Sequence, residues 1–328
     1  MKTQRLIFSF VAALLLGSCA SGSRAPGVFS FALMGDQQYT PFEEKVFPQM
    51  LDAVSAEPVE FVVHVGDFKA GGNSPCTDAL YRRRFQEFNQ SRHAFIFTPG
   101  DNDWVDCRRA SNGHRDPIER MEKIREIFFR DGNSLGRQPI ALQRESDVFA
   151  HDPILSHFPE NALWKHNGLV LATFNIQGSN DNLGFDAAND AEHIERTRAN
   201  IAWLKYAASE AAKDGMVGLA IFMQANPGFE ESAEKVRKSG FAEFLGAFES
   251  EAKALGKPVL FAHGDTHQFR IDRPYLNPLD KQPIHNVTRV ETYGDPFVNW
   301  VRITVDPRNA AQPFTIKSGE FTPTVKSD

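Results

Sequence analysis

Four short apolar runs in this sequence end in the same dipeptide: Gly35-Asp36, Gly66-Asp67, Gly100-Asp101 and Gly264-Asp265. A glycine at the end of a strand lets the backbone turn sharply and aim the next side chain, and in an open α/β sheet ligands sit beyond the carboxyl ends of the strands. Four carboxylates converging on one crevice repel one another and raise one another's pKa unless cations neutralise them. The repetition therefore predicts a metal site, with two divalent ions as its expected content. Any single Gly-Asp could simply start a turn or cap a helix. Four, each directly after an apolar run, form a pattern.

The elements that would carry these residues read as strands over Phe29–Met34, Glu60–Val65, Ala94–Thr98, Leu169–Phe174, Val217–Met223 and Pro258–Ala262. Most are near-continuously apolar, which suits strands buried on both faces. Helical patterns lie between them at Lys45–Ser55, Asp78–Gln90, Pro117–Phe129, Ala188–Lys213 and Glu231–Leu255. The third has the clearest signals, with Asp116 as N-cap, Pro117 in the first turn, and Ile118, Met121, Ile124 and Phe128 on one stripe. Strand–helix alternation at this spacing means an α/β fold. Three later β-rich runs, Val287–Tyr293, Val298–Val305 and Pro313–Ile316, have no helix between them and are expected to pair antiparallel. With no repeat or linker after Pro26, one domain over 28–320 is the economical reading.

Composition narrows the function classes. The 328 residues carry 42 Asp+Glu against 36 Lys+Arg, so no basic field exists to hold nucleic acid. Phe outnumbers Tyr 28 to 5, which assigns most aromatic residues to a core. A serine-hydrolase elbow is absent, since Gly72-Asn73-Ser74-Pro75-Cys76 fails at its last position, and no P-loop or dinucleotide fingerprint occurs. At the N-terminus, Lys2 and Arg5 precede an apolar stretch from Leu6 to Leu16 that ends in Leu16-Gly17-Ser18-Cys19. This resembles a bacterial lipoprotein signal, too short for a spanning helix, with residues 1–18 removed, Cys19 lipidated and 19–27 a tether. An uncleaved anchor is the alternative. The resemblance places the chain on the periplasmic side of the envelope, and Ala20 after the cysteine points to the outer membrane. The two remaining cysteines, Cys76 and Cys107, would then be an even pair in an oxidising compartment, where a disulfide is expected and two buried free thiols are the other possibility.

The order and context of the Gly-Asp motifs resemble the calcineurin-like metallophosphoesterases from about Val28 to Asp306, with departures. That family opens with Asp-x-His, and Asp36-Gln37-Gln38 keeps only the aspartate. Gly66-Asp67 corresponds to the aspartate that bridges both ions. The Gly-Asn-His-Asp/Glu motif appears as Gly100-Asp101-Asn102-Asp103, Gln224 stands at a histidine position, and Gly-His-x-His reads Gly264-Asp265-Thr266-His267. A secreted bacterial branch is similar in its Gly100–Trp104 and His263–His267 phrases. The implied fold has central sheets flanked by helices in α/β/β/α layers.

Carried over position by position, the resemblance gives one ion Asp36, Gln38, Asp67 and His267, and the other Asp67, Asp101, Gln224 and Asp265. It implies hydrolysis of phosphate mono- or diesters by a hydroxide held between two ions. Three imidazoles replaced by oxygen donors favour Mn²⁺, Mg²⁺ or Ca²⁺ over zinc and iron. Asn102, in place of the catalytic histidine, can only orient, because an amide does not yield a proton at neutral pH, and Asp103 would orient in turn. Arg108 and Arg109 are candidates to bind a substrate phosphate, and Asn175, Gln177, Asn180 and Asn182 to contact substrate. His64 and His263 read as core residues, and Arg82-Arg83-Arg84 as one helix's wet face. A Cys76–Cys107 disulfide would tie two ligand loops together. The rival reading is a non-catalytic envelope lipoprotein that keeps this scaffold to bind a cation or ligand.

Overall fold

The computed structural model of the chain describes residues 27–272 and 284–324. The signal pattern, Cys19 and all of the tether but Gly27 lie outside these residues.

In chain order the first part is β1 (Phe29–Met34), α1 (Pro41–Ala56), β2 (Phe61–His64), α2 (Asp78–Phe88), β3 (Ala94–Phe97) and α3 (Pro117–Phe128). There follow β4 (Gln143–Arg144), β5 (Ala162–His166), β6 (Leu169–Thr173), β7 (Gly218–Phe222), β8 (Val259–His263), β9 (Arg270–Asp272), β10 (Val287–Glu291), β11 (Val301–Val305) and β12 (Phe314–Ser318). One sheet has the order β12-β11-β1-β2-β3 and the other β4-β5-β6-β7-β8-β10-β9. In each, the strands that precede the candidate residues run parallel.

The sheets face each other. Phe31 of β1 meets Phe222 of β7 at 5.8 Å between ring centroids, and Phe61 of β2 meets Trp164 of β5 at 5.6 Å. Phe31, Leu33, Val63 and Ile96 share one buried cluster with Leu171, Ala220, Phe222 and Leu260. The opposite faces are buried too, Ala32, Met34 and Val62 beneath α1, α2 and α3, and Val170, Ile221 and Phe261 beneath helices Ala187–Ala212 and Ala242–Leu255. Burial on both faces explains the near-continuous apolar runs, and the layers are α/β/β/α.

The helices start where capping chemistry directs. Asp116 accepts from the amides of Ile118 and Glu119 at the head of α3. Helix α1 begins at Pro41, four residues earlier than periodicity suggests, because Thr40 and Glu43 form a capping box ahead of the apolar stripe.

Four expectations are corrected. Strand β10 does not pair with the C-terminal strands; it lies parallel to β8 with Val287 opposite Val259, and it is buried throughout, whereas β11 alternates. Strand β5 was missed, although Asn167-Gly168 is a two-residue hairpin signal that joins it to β6, with φ of 42° and 84°. The helical pattern over 231–255 splits into Ala233–Arg237 and Ala242–Leu255 around Gly240, where a methyl group would meet the Asn180 carbonyl at 2.4 Å. Arg84 is not on a wet face: it is fully buried, donating to Phe68 O at 2.8 Å and paired with Glu44 and Glu87 at 2.6 and 3.0 Å.

Candidate metal centre

Strands β1, β2, β3 and β8 all end at one margin of the sheet pair, and the four Gly-Asp dipeptides follow them there. The turns interlock. Asp36 donates its amide to Gly66 O at 3.0 Å, and Asp265 donates its amide to Asp36 Oδ1 at 3.0 Å. Gly66, at φ 97°, packs so closely on the next turn that a methyl group would lie 2.5 Å from the Gly100 nitrogen. Only glycine fits there.

The backbone at the ligand candidates is unusual. Asp36, Gln38, Asp67, Asp265 and His267 have φ of 54°, 70°, 59°, 82° and 62°. Left-handed backbone at non-glycine residues costs on the order of 1–3 kcal/mol each and concentrates at functional sites. A second left-handed stretch, Ser179 to Asn182, enters the site from the segment after β6.

The side chains make one network. Asp67 Oδ1 accepts from the Asn102 amide at 3.0 Å, and its Oδ2 accepts from the Tyr39 hydroxyl at 3.0 Å and Gln224 Nε2 at 3.1 Å. Gln224 Nε2 also reaches Asp265 Oδ1 at 3.4 Å, while Asp265 Oδ2 accepts from the Asn226 amide. Ser179 Oγ lies 2.8 Å from both Asp101 Oδ2 and Asp106 Oδ1. A methyl group on Gly178 would meet Asp101 Oδ1 at 2.8 Å and Asp265 Oδ1 at 2.9 Å, so both carboxylates lie against that glycine. Asp36 Oδ2 is buried without a hydrogen-bond partner.

Burial and mutual repulsion act together on these acids. Burial, then Asp265, raises Asp36 far above the usual carboxylate range, and burial, then Asp101 and Asp103, does the same to Asp67. Asp101, Asp265 and Asp106 are pushed up to about 6, each chiefly by burial. Such a cluster calls for a compensating positive charge.

A hard divalent cation fits the donor types, the buried negative charge and the orphaned Asp36 Oδ2. His267 fits as well: its Nδ1–H donates to Asp295 O at 2.9 Å, which leaves Nε2 as the acceptor. As the side chains lie, no group of three or more His, Cys, Asp or Glu among the described residues gathers its donor atoms around a common point. The reason is visible in the network, where most of the carboxylate oxygens are turned to N–H and O–H donors.

Several sequence candidates fall elsewhere. Gln38 turns to α2, where its Nε2 donates to Glu87 at 3.0 Å, and it makes no hydrogen bond with Asp36 or Asp67. Gln224 presents its nitrogen to the carboxylates, because its oxygen accepts from the Gly178 amide at 2.7 Å. Asp103 orients no side chain at position 102; its carboxylate accepts from the amides of Asp67, Phe68 and Gly100 at 2.9, 2.9 and 2.8 Å, which pins the β2 loop to the β3 loop. Asn175 is fully buried and spends its amide on Glu160 at 2.8 Å. Arg108 stacks on Phe185 at 3.4 Å and bonds Val105 O and Asp106. Asn102 lies at the mouth beside Arg109, with its Nδ2 donating to the Tyr39 hydroxyl at 3.0 Å. Cys76 and Cys107 form a disulfide across a separation of 31 residues, tying the segments that follow Asp67 and Asp101.

His64 and His263 are fully buried and pushed down to about 3 by burial, so both are neutral core residues. Each sits just before a Gly-Asp turn and bonds it, His64 Nδ1 accepting from the Gly66 amide and His263 Nδ1 donating to Gly264 O. Tyr39, Ser179 and Asp106 were missed. Asp106 follows a ligand motif by three residues and could have been suspected; Tyr39 and Ser179 carry no motif, and only the turns bring them in.

No family model matches the chain, and no curated protein does. Among solved structures, one described as the structure of PhoD superposes with a TM-score of 0.57 at 11% identity, covering 90% of this chain and 69% of that one. A dimetal phosphatase from Danio rerio gives 0.49 at 11% identity, over 89% of this chain and 99% of the other. GAP50, described as the anchor in the inner membrane complex of Plasmodium, gives 0.44 at 11% identity, over 90% of each chain. The likeness to PhoD shows the fold, which is of the calcineurin-like phosphoesterase type that the motif order resembles.

Proposed function

We propose that the chain is a divalent-ion-dependent phosphoesterase that hydrolyses phosphate mono- or diesters, with Asp67 common to two ion positions. The observation that carries the reading is the convergence of four buried carboxylates, Asp36, Asp67, Asp101 and Asp265, at the ends of four strands in a fold of this type. Asp36, Asp67 and His267 would hold one ion, and Asp67, Asp101 and Asp265 the other; oxygen donors in this majority favour Mn²⁺, Mg²⁺ or Ca²⁺. When bound, such ions lower the pKa of an attacking water and stabilise charge developing at phosphorus.

The chain's own residues do the rest. Asp103 and the disulfide hold the β2 and β3 loops in register, so the ligand carboxylates are pre-positioned. Tyr39 fixes one oxygen of Asp67 and receives the Asn102 amide. Asn102 and Arg109 stand together at the mouth, where Arg109 donates to Gly71 O at 2.8 Å and keeps an exposed guanidinium edge for a phosphate oxygen. No imidazole stands at position 102 to protonate a leaving group, so esters of acidic alcohols are the favoured substrates. The N-terminal pattern ending at Cys19 adds an envelope location, by lipid anchorage, to the proposal.

The test is elemental analysis of purified protein coupled to turnover of an aryl phosphate and a bis-aryl phosphodiester across Mn²⁺, Mg²⁺, Ca²⁺ and Zn²⁺. Turnover that requires added ion, and that Asp67→Asn abolishes together with ion content, supports the reading. The competing reading, a cation-binding protein without chemistry, is favoured by the Gln224 amide standing among the carboxylates, and retained ion with no turnover on either ester selects it.

A further inference from the structure

Beside the carboxylates, the left-handed stretch after β6 and the segment after β7 enclose a cavity of about 210 Å³. Asn180, Asn226 and Ser239 supply its polar lining, and Pro227, Val236 and Phe241 its apolar lining. Both asparagines adjoin the candidate metal centre. The Asn226 amide donates to Asp265 Oδ2 at 2.9 Å, and Ser179, the residue before Asn180, places Oγ 2.8 Å from Asp101 Oδ2. Two walls of the cavity thus start at two of the ion-ligand candidates. Asn102, Arg109 and Tyr39 do not line it.

The asparagines are held in place. Asn180 sits at φ 55°, its Oδ1 accepts from the Gly240 amide at 2.9 Å, and its Nδ2 donates to Leu183 O at 2.9 Å. Gly240 separates the helices Ala233–Arg237 and Ala242–Leu255, and a side chain there would strike the Asn180 carbonyl. The break in that helical pattern therefore builds part of the cavity. Asn226 is fixed in the same way, with Oδ1 accepting from the Gly228 amide at 3.1 Å and Nδ2 donating to Glu230 at 2.8 Å. A primary amide carries two N–H groups and two lone pairs. These bonds use one of each and set which end is nitrogen, so each asparagine keeps a pre-oriented donor and acceptor for an occupant.

Among the described residues the charged members of the lining are Lys235 and Glu231, which pair with each other at the exposed edge, so the lining has no net charge. A hydroxyl group both donates and accepts, as these amides do. The volume lies below the roughly 300–1,000 Å³ of a site for a whole drug-sized ligand, and it suits one small group of a larger molecule. We propose that the cavity is a subsite for the group that stays on phosphorus, an uncharged polyol of about glycerol size. The proposal rests on the phosphoesterase reading. It puts the leaving group on the Asn102–Arg109 side, outside the cavity, so the substrate is a diester of one small polyol and one more acidic alcohol. Hydrolysis adds the oxygen and one hydrogen of water to phosphorus and the other hydrogen to the departing alcohol, leaving the polyol as its phosphate monoester.

The experiment compares two diesters with one leaving group, nitrophenyl glyceryl phosphate and nitrophenyl methyl phosphate, turned over by the full chain at saturating Mn²⁺. Two added hydrogen bonds correspond to about tenfold or more, so wild type is expected to favour the glyceryl ester at least tenfold in kcat/KM, chiefly through KM. Ser239→Phe, which fills the cavity, is expected to bring the ratio of the two esters near unity. Equal kcat/KM in wild type, a ratio that Ser239→Phe leaves intact, or turnover of an aryl monoester alone overturns the inference and leaves the phosphoesterase reading standing. No turnover of any ester with any ion overturns that reading and the inference with it. If Ser239→Phe fails to fold, the Asn180 and Asn226 NH₂ resonances of the wild-type chain in Mg²⁺ decide. They are expected to shift with glyceryl methyl phosphate and not with dimethyl phosphate, and an equal response to both, or none to either, overturns the inference.

Discussion

Asp101→Asn should make the metal-free protein more stable. Burial and the neighbouring Asp265 raise the Asp101 carboxyl from 3.8 to about 6. A raised carboxylate pKa means the folded state binds its proton more tightly than the unfolded chain. The resulting stability is fully present below about pH 4 and is lost as pH rises to about 6. At neutral pH the charged Asp101 therefore opposes folding, and at 1.36 kcal/mol per unit the ceiling is about 3 kcal/mol. Part of that is shared with Asp265, which titrates with it, so about 1–3 kcal/mol is the expected gain. The geometry permits it. Asp101 Oδ1 and Asp265 Oδ1 both lie beside Gly178, so an NH₂ in place of Asp101 Oδ1 removes a negative charge next to Asp265, while the other atom keeps its bond from Ser179 Oγ at 2.8 Å. In a chain of this size that amounts to roughly 2–6 °C in melting temperature. Calorimetry in chelator at pH 7 measures it, and the same scans from pH 4 to 7 should show wild type losing stability as pH rises, less steeply in the variant. Adding Mn²⁺ should raise the wild-type transition and move the variant much less. A variant that melts at or below wild type in chelator, or responds fully to Mn²⁺, refutes the reasoning.

Gly264→Ala tests the place of Asp36 in the centre: the new methyl would lie 1.9 Å from Asp36 Oδ2, so the carboxylate must leave its place, and Mn²⁺ binding measured by equilibrium dialysis should weaken at least tenfold while the circular dichroism spectrum is kept. Asn102→His should return a proton donor to the mouth; general acid catalysis is worth about 10²–10⁴-fold, and a gain approaching that range on alkyl esters, with little on esters of acidic phenols, is the expected signature at saturating Mn²⁺. Equal native rates on both ester types would show that a different donor is in use. Replacing Cys76 and Cys107 by serine should destabilise the chain by about 3–4 kcal/mol through the freed loop, read as a lower denaturant midpoint; an unchanged midpoint would mean that the bridge adds nothing to the fold.

What the chain order encodes locally was legible from residues alone. The six runs that precede the candidate loops form strands because continuous apolar sequence can be buried on both faces, and Gly-Asp at the ends of four of them marks the turns because the backbone there needs glycine. The Asp116 cap and the Asn167-Gly168 hairpin are equally local, although the second went unread. The positions of Asp36, Asp67, Asp101 and Asp265 at one margin follow from the parallel order of the strands that deliver them.

Side-chain direction is another matter, because it depends on partners far away in sequence. Gln38 and Gln224 occupy analogous positions in the motif order, yet Glu87 draws the first toward α2 and the Gly178 amide turns the second nitrogen-first into the centre. Asp103 looks like an orienting acid in its motif and is instead consumed by three backbone amides of two loops. Strand β10 reads like its C-terminal neighbours, but burial on both faces seats it beside β8. The sequence by itself determined which residues could donate to a cation and which turns would carry them. Only the tertiary structure decided which lone pairs remain open, because each buried donor must find an acceptor, and in this centre donor and acceptor stand as far as 229 residues apart.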